Sequence, residues 1–380
     1  MTENNRLLFI CPMMTHPRII KRVIAARQAG FDVTVVSYER EYYPENQFPS
    51  DVRLISLGKI KNGRYLRRSL RMIAARRIVR RVSREILPAA IYSFGDDNLI
   101  LAIASKSRNS AIVHELGDLR VSKSKWSMPH RAFEAGRRWL YSFVDYLVLT
   151  SQGFATHLDS FINTKTSVVV IENKLAKELI DLADRKPTIG NIGPIQIGLI
   201  GFLRYRTISA LFEIVSENPD RFCLNIWGDG PLREETEKVA LKCSNINFHG
   251  SFKNPDQIPS IYEKTDISFV VYDSSDLNVR LALPNKLYES AFFGVPILVA
   301  NGTELFRRST ELGLGLGVEP FSIESLEQAL FSLSRSDLAS TQLKIIEEID
   351  TSELLDDGAK FFLQLKSDTQ ESNSAIEENH

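Results

Sequence analysis

The chain has 380 residues, in which 47 Lys and Arg balance 47 Asp and Glu, so its formal net charge is zero. That length exceeds what one core usually supports, so two domains are expected, and the neutral balance argues against a dedicated nucleic-acid binder. Cys11, Cys223 and Cys243 fit no zinc or disulfide spacing and point to a reducing cytoplasm. The apolar run at 7–12 is too short for a signal-peptide core, and no run approaches the length of a bilayer span, so a soluble or peripheral protein is expected.

In chain order, short Val- and Ile-rich runs at 7–11, 33–37, 52–57, 90–94, 111–114, 146–150 and 168–171 read as strands buried on both faces. Helical patterns at 17–29, 65–86 and 131–143 separate many of them. This alternation predicts an α/β fold with a doubly wound parallel sheet. The first domain is placed at 1–175. A charged segment with Pro187 and the Gly190 to Pro194 cluster reads as a linker at 176–193. A second series of strands at 196–201, 223–227, 246–249, 267–272, 295–300 and 315–318 predicts a second Rossmann-like domain over 194–340. Helices are expected over 341–366, and the polar stretch 367–380 reads as disordered. No internal repeat stands out.

The segment 59–84 holds eleven Lys or Arg and no Asp or Glu, among them Arg64, Arg67, Arg68, Arg71, Arg76 and Arg77. Apolar residues at helical spacing interleave them. Such a helix can lie on an anionic membrane surface, or it can pack its apolar stripe on the sheet and hold its arginines in solvent. No aromatic interleaving supports nucleic acid as the partner.

In two facing domains of this class, ligands bind outside the carboxyl ends of the strands. Three loops there carry anion-binding features. Gly201 opens a turn leading to Arg204 and Arg206. Gly228 and Gly230 flank Asp229, where missing side chains let backbone approach a ligand, although a strand–helix turn also needs glycine for its geometry alone. Pro284 suits a helix start, and Asn285, Lys286 and Glu289 follow in its first turns, ahead of a stop at Gly294 and Pro296. A cation, a carboxylate and unpaired N–H groups thus gather at a helix N-terminus, although capping and dipole effects alone also place polar residues there. The run Gly313-Leu314-Gly315-Leu316-Gly317 overlaps a strand and fails as a dinucleotide fingerprint.

The ordered set Gly201-Phe202-Leu203-Arg204, Trp227-Gly228-Asp229-Gly230-Pro231, Asn247-Phe248-His249-Gly250, Asp266 and Leu283-Pro284-Asn285-Lys286-Leu287-Tyr288-Glu289 resembles the donor-binding domain of GT-B glycosyltransferases. More narrowly, it is similar to the retaining, nucleotide-sugar-dependent family 4. His16-Pro17-Arg18, His114-Glu115 and Asp145-Tyr146-Leu147 extend the resemblance through the first half.

The resemblance implies transfer of a hexose from a UDP- or GDP-sugar to a carbohydrate or lipid-linked acceptor hydroxyl, with retention and without a metal or other cofactor. It places donor in the second domain and acceptor in the first. Glu289 would hold the donor ribose, and Arg204, with Arg206 or Lys286, would neutralise the departing diphosphate. His114 and Glu115 would stand near the transferred sugar, with His16 and Asp118 on the acceptor side. His114 also reads as a satisfied structural residue, and His16 as a helix-entry residue. A cytoplasmic enzyme of polysaccharide assembly follows, peripheral at the inner membrane face.

Two positions depart from the family pattern. Leu281 stands where a second, sugar-contacting glutamate is common, and Arg204-Tyr205-Arg206-Thr207 replaces a lysine-glycine pair. Asn278 and Asp276 are the candidates to compensate for Leu281. A nucleotide-sugar epimerase of the same fold and a catalytically silent partner in an assembly complex remain open as alternatives.

Overall fold

The structure, a computed structural model, describes residues 4–13, 16–39, 48–59, 65–119, 128–190 and 192–377, without the side chains of 65–73, 128–130 and 372–377. The chain forms two compact units, Met1–Glu172 with Asp356–His380, and Asn173–Leu355.

In the first unit, β1 (Arg6–Cys11), β2 (Asp32–Glu39), β3 (Arg53–Lys59), β4 (Ala90–Phe94), β5 (Ala111–Leu116), β6 (Tyr146–Leu149) and β7 (Ser167–Val170) make a parallel sheet in the order β3-β2-β1-β4-β5-β6-β7. Its central strands are buried almost throughout, the signature of a sheet covered on both faces. Helix α1 (Pro17–Gln28) covers one face, where Ile20 and Val23 join Phe9, Val113 and Phe362 in the core. Helices α2 (Tyr65–Ile86) and α3 (Asp96–Ser105) cover the other, through Val79, Val82 and Leu101 against Leu8 and Ile10. Helix α4 (Met128–Tyr141) packs beside α3. The apolar stripe of α2 therefore lies on the sheet, while Arg76, Arg77, Arg80, Arg81 and Arg84 are exposed. The basic positions 60–64 lie outside the described residues, and the side chains of Arg67, Arg68 and Arg71 are among those not described.

The C-terminal stretch differs from the sequence expectation. Residues 367–377 continue the helix Gly358–Glu377, and this helix belongs to the first unit. Phe361, Phe362 and Leu365 are buried against Phe9 and Tyr92, and the Tyr146 hydroxyl donates to Asp368 at 2.6 Å. An apolar stripe upstream thus orders a polar tail. The expected linker also differs, because it is bound into the second unit. Arg185 donates to the carbonyls of Phe292, Ile345 and Ile349 at 3.0, 3.1 and 2.6 Å, and the N–H groups of Thr188 and Ile189 donate to Gln342.

In the second unit, β8 (Ile195–Phe202), β9 (Phe222–Asp229), β10 (Ile246–Gly250), β11 (Ile267–Val270), β12 (Ile297–Ala300) and β13 (Gly315–Val318) form a parallel sheet in the order β10-β9-β8-β11-β12-β13. The order reverses between β8 and β11, so the carboxyl ends of these strands are where a ligand of such a sheet binds. Among the described residues, no helix is long and apolar enough to cross a membrane.

Candidate active site

Strands β8 and β9 end in register, with Gly201 opposite Gly228. A Cβ at Gly228 would lie 1.8 Å from the Gly201 carbonyl oxygen, and one at Gly230 would lie 2.6 Å from that of Leu203. The Leu203 N–H donates to the Asp229 carbonyl at 2.9 Å, and the Leu232 N–H donates to the Leu203 carbonyl at 3.0 Å. The two glycines therefore bring one turn against the other, a geometric need for glycine that exists with or without a ligand. Asp229 accepts from the Gly230 N–H at 2.7 Å, from Ser251 and from Arg233. The Gly230 bond, ahead of the others, holds this exposed carboxyl below its ordinary range.

At the end of β8, the Arg204 guanidinium lies 4.5 Å from the centre of the Tyr205 ring, which packs 4.9 Å from that of Tyr272. Arg204 itself is exposed. The Thr207 hydroxyl donates to the Val271 carbonyl at 2.6 Å and ties this turn to the end of β11. A pocket opens here, lined by Gly201, Phe202, Arg204, Tyr205 and Tyr272. Arg206 is not part of it. Its side chain is 70% exposed and paired with Glu235 at 3.3 Å, whereas Arg204 lines the pocket.

The site helix Asn285–Phe293 approaches the same turn through Lys286. Pro284 occupies the residue before it, and Gly294, with φ of 70°, closes it. A Cβ at Gly294 would also lie 2.8 Å from the Gln342 carbonyl, so glycine is required twice over. Every residue from Leu287 to Phe293 is buried, which sets this helix apart from an ordinary surface helix. The first turn remains partly open. Asn285 is hydrogen-bonded to Asn173, and the Lys286 stem passes over Gly201, 3.9 Å from where a Cβ would stand.

Glu289 is only 2% exposed, and its charge is met locally. Lys286 Nζ lies 2.5 Å from Glu289 Oε2, and the Tyr262 hydroxyl donates to the same oxygen at 3.2 Å. The ammonium also sits 5.7 Å from the Phe252 ring centre. Burial first, then the Glu289 charge, pushes the Tyr262 phenol well above its usual pKa, so it stays a donor. Tyr262, Tyr205, Tyr272 and Phe252 had no signal in the sequence, since each meets its partner only through the fold.

Leu281 ends the short helix Leu277–Leu281. Asp276 is occupied as its cap, accepting from the Asn278 N–H at 2.9 Å, while Arg280 donates to the Ser274 carbonyl at 3.0 Å. Asp276 therefore spends one carboxylate oxygen on holding its own loop.

The first-unit candidates are placed differently from expectation. Strand alternation sends His114 and Glu115 to opposite faces of the sheet, so the two adjacent residues do not share one site. His114 is fully buried on the α3 and α4 side. Its Nδ1 lies 3.0 Å from the Ser93 hydroxyl, its Nε2 lies 3.4 Å from Asp96, and its ring is 5.6 Å from that of Tyr141. Tyr141 donates to Asp96 at 3.1 Å. Burial raises the Asp96 carboxyl, but His114, Arg137 and Tyr141 together bring it below its ordinary value.

Glu115 is 1% exposed on the α1 side, held by Arg22 Nε at 3.2 Å, by Arg18 Nε at 3.2 Å and by the Tyr92 hydroxyl at 2.5 Å. Arg22 also reaches Asp356 at 3.1 Å and the Ile171 carbonyl at 2.9 Å. A Cβ at Gly117 would stand 2.0 Å from the Arg18 guanidinium, so glycine there leaves room for the arginine. Glu115 thus anchors α1 and the C-terminal helix to the sheet, where the sequence reading had it facing a sugar. His16 caps α1, its Nδ1 accepting from the Arg18 N–H at 3.3 Å. Burial, then Arg18 and Lys21, lowers its pKa to about 4, so it is a neutral acceptor. Asp118 is exposed just beyond β5.

No protein-family model matches the chain. It is 23% identical over 346 residues to the succinoglycan biosynthesis protein ExoL of Rhizobium meliloti, covering 87% of this chain and 85% of that protein. Among solved structures, it is similar to sucrose-phosphate synthase from Thermosynechococcus elongatus, with a TM-score of 0.71 at 12% identity over 98% of this chain and 100% of that one. It is also similar to Anabaena HepE in complex with UDP, with a TM-score of 0.65 at 16% identity over 97% and 100% of the two chains. The fold is therefore the GT-B fold that the sequence pattern implied.

Proposed function

We propose that the chain is a glycosyltransferase that takes a hexose from a nucleoside-diphosphate sugar, bound in the second unit, and passes it to an acceptor hydroxyl in polysaccharide or lipid-linked oligosaccharide assembly. One observation carries this reading. A buried carboxylate and a lysine share the first turns of a helix, and the lysine stem passes over Gly201 at the head of the turn that carries Arg204. Glu289 accepts the ribose hydroxyls, for which an ionised acceptor is stronger than a neutral one. Lys286, Arg204 and the helix N-terminus neutralise the diphosphate as the sugar bond breaks. These cations meet the leaving charge without a metal ion. The UDP in the Anabaena structure supports a uridine nucleotide, and the ExoL likeness supports a polysaccharide acceptor. Retention is inferred from the motif order.

Lys286 has two tasks in this scheme. In the free protein it balances Glu289, and a bound diphosphate draws on the same ammonium, whose three N–H donors can serve both. A second reading, a nucleotide-sugar binder without turnover, is favoured by the burial of both His114 and Glu115. Thermal melting with UDP, GDP and their sugars tests the binding site, since a ligand held by the folded state alone raises apparent stability. Stabilisation by none of them overturns the proposal. Stabilisation without sugar transfer or donor hydrolysis selects the second reading.

A further inference from the structure

The two strands that flank the reversal of the second sheet are each followed by an aromatic residue, and the two rings meet. Tyr205 comes after β8 and Tyr272 after β11, with ring centres 4.9 Å apart. The Thr207 hydroxyl donates to the Val271 carbonyl at 2.6 Å, and the Leu203 N–H donates to the Asp229 carbonyl at 2.9 Å. The backbone on both sides of Arg204 and Tyr205 is therefore tied down.

The Arg204 guanidinium lies over Tyr205, 4.5 Å from the ring centre, and its Nη2 reaches the Tyr205 hydroxyl. Tyr205 thus touches the cation and Tyr272 at once. Among the described residues no carboxylate pairs with Arg204, whereas Arg206 is paired with Glu235. A carboxylate would hold Arg204 by meeting its charge, and would compete with an incoming anion. An aromatic ring holds it through the quadrupole and leaves the charge available. Burial first, then Tyr205 and Glu289, raises the Tyr272 phenol, so it stays neutral in this stack. A long exposed arginine loses rotamer freedom when it meets a ligand, and a cation ordered beforehand loses less.

We infer that the Tyr205 ring, braced by Tyr272, is a positioning element of the transfer step, holding the Arg204 guanidinium ready for the diphosphate that leaves with the nucleotide. Both rings act through Arg204. The inference rests on the donor-site reading of Arg204 and adds what orders that residue.

The test is a double-mutant cycle on the full chain, with Tyr205→Leu, Arg204→Ala and the two combined, read by steady-state kinetics with the donor that stabilises the protein. Tyr205→Leu is expected to lower kcat about fivefold with KM within about twofold. Tyr205→Phe keeps the ring, loses the hydroxyl and is expected to retain most of the parent rate. In the Arg204→Ala background, Tyr205→Leu is expected to change kcat by less than about twofold, because the group it positions has gone. Unchanged melting temperatures show that the variants fold. Losses that multiply in the combined variant, a Tyr205→Leu protein that turns over like the parent, or a Tyr205→Phe protein as slow as Tyr205→Leu overturns the inference. The same cycle read as affinity for inorganic pyrophosphate, which stands for the departing group, needs no sugar donor. Coupled losses of pyrophosphate affinity without any sugar transfer support the positioning of Arg204 and fail the transferase reading alone. Independent losses there fail the positioning role.

Discussion

Lys286 Nζ stands 2.5 Å from Glu289 Oε2, three residues on along one helix, and the two side chains are 11% and 3% exposed. A buried pair of this kind is costly to leave half made, because the remaining charge has no solvent to turn to. Glu289→Gln is therefore expected to weaken donor binding by about 10- to 100-fold, the loss of one charge-assisted contact to ribose. Titration calorimetry with the stabilising nucleotide measures it. A change below about twofold removes Glu289 from the ribose role.

Arg204 and Arg206 separate by environment. Arg204 lines the pocket on an aromatic shelf, whereas Arg206 is paired with Glu235 at the surface. Arg204→Ala is expected to lower kcat roughly a hundredfold with a few-fold change in KM, as loss of leaving-group stabilisation does. Arg206→Ala is expected to leave both within about twofold, the ordinary worth of an exposed ion pair. Steady-state kinetics on both variants decides, and equal effects would contradict the assignment.

Glu115 is predicted to matter for stability before chemistry. Glu115→Gln keeps the shape but leaves Arg22, which is fully buried, with Asp356 as its remaining carboxylate. A loss on the order of 3 kcal/mol is expected, seen as a lower denaturation midpoint for the first unit. Normal stability with abolished turnover would restore Glu115 as a catalytic candidate.

His16 gives a pH dependence with a defined sign. Its folded pKa of about 4 lies below the ordinary 6.5, so between these values the unfolded chain binds more protons. Its contribution is present above pH 6.5 and is lost as the pH falls toward 4. His16→Asn keeps a cap and removes the titration, so the melting temperature of the variant should fall less steeply across that window. Parallel melting curves for the two proteins would contradict this origin.

Much of the fold was legible because strands buried on both faces are apolar without interruption. The runs ending at Cys11, Phe94 and Gly201 mark strands whichever partners they acquire. The site helix was legible for a similar local reason, since Pro284, Gly294 and the spacing of Lys286 to Glu289 are all set within one segment. The continuation of the C-terminal helix over 367–377 was not, because its polar composition hides that Phe361, Phe362 and Leu365 upstream have a sheet to pack on.

Sequence by itself determined the alternation of strands and helices, the two Rossmann-like series and the residues of one helix N-terminus, because these follow from periodicity and capping over a few neighbouring positions. Tertiary structure alone decided what each polar residue is for. His114 and Glu115 are neighbours in the chain, yet the two-residue repeat of β5 turns them to opposite faces, and Arg22 finds Asp356 at a separation of 334 positions. Whether a charged group awaits a ligand or anchors the fold depends on which distant groups reach it. That is set by the packing of whole elements and leaves no mark at the residue itself.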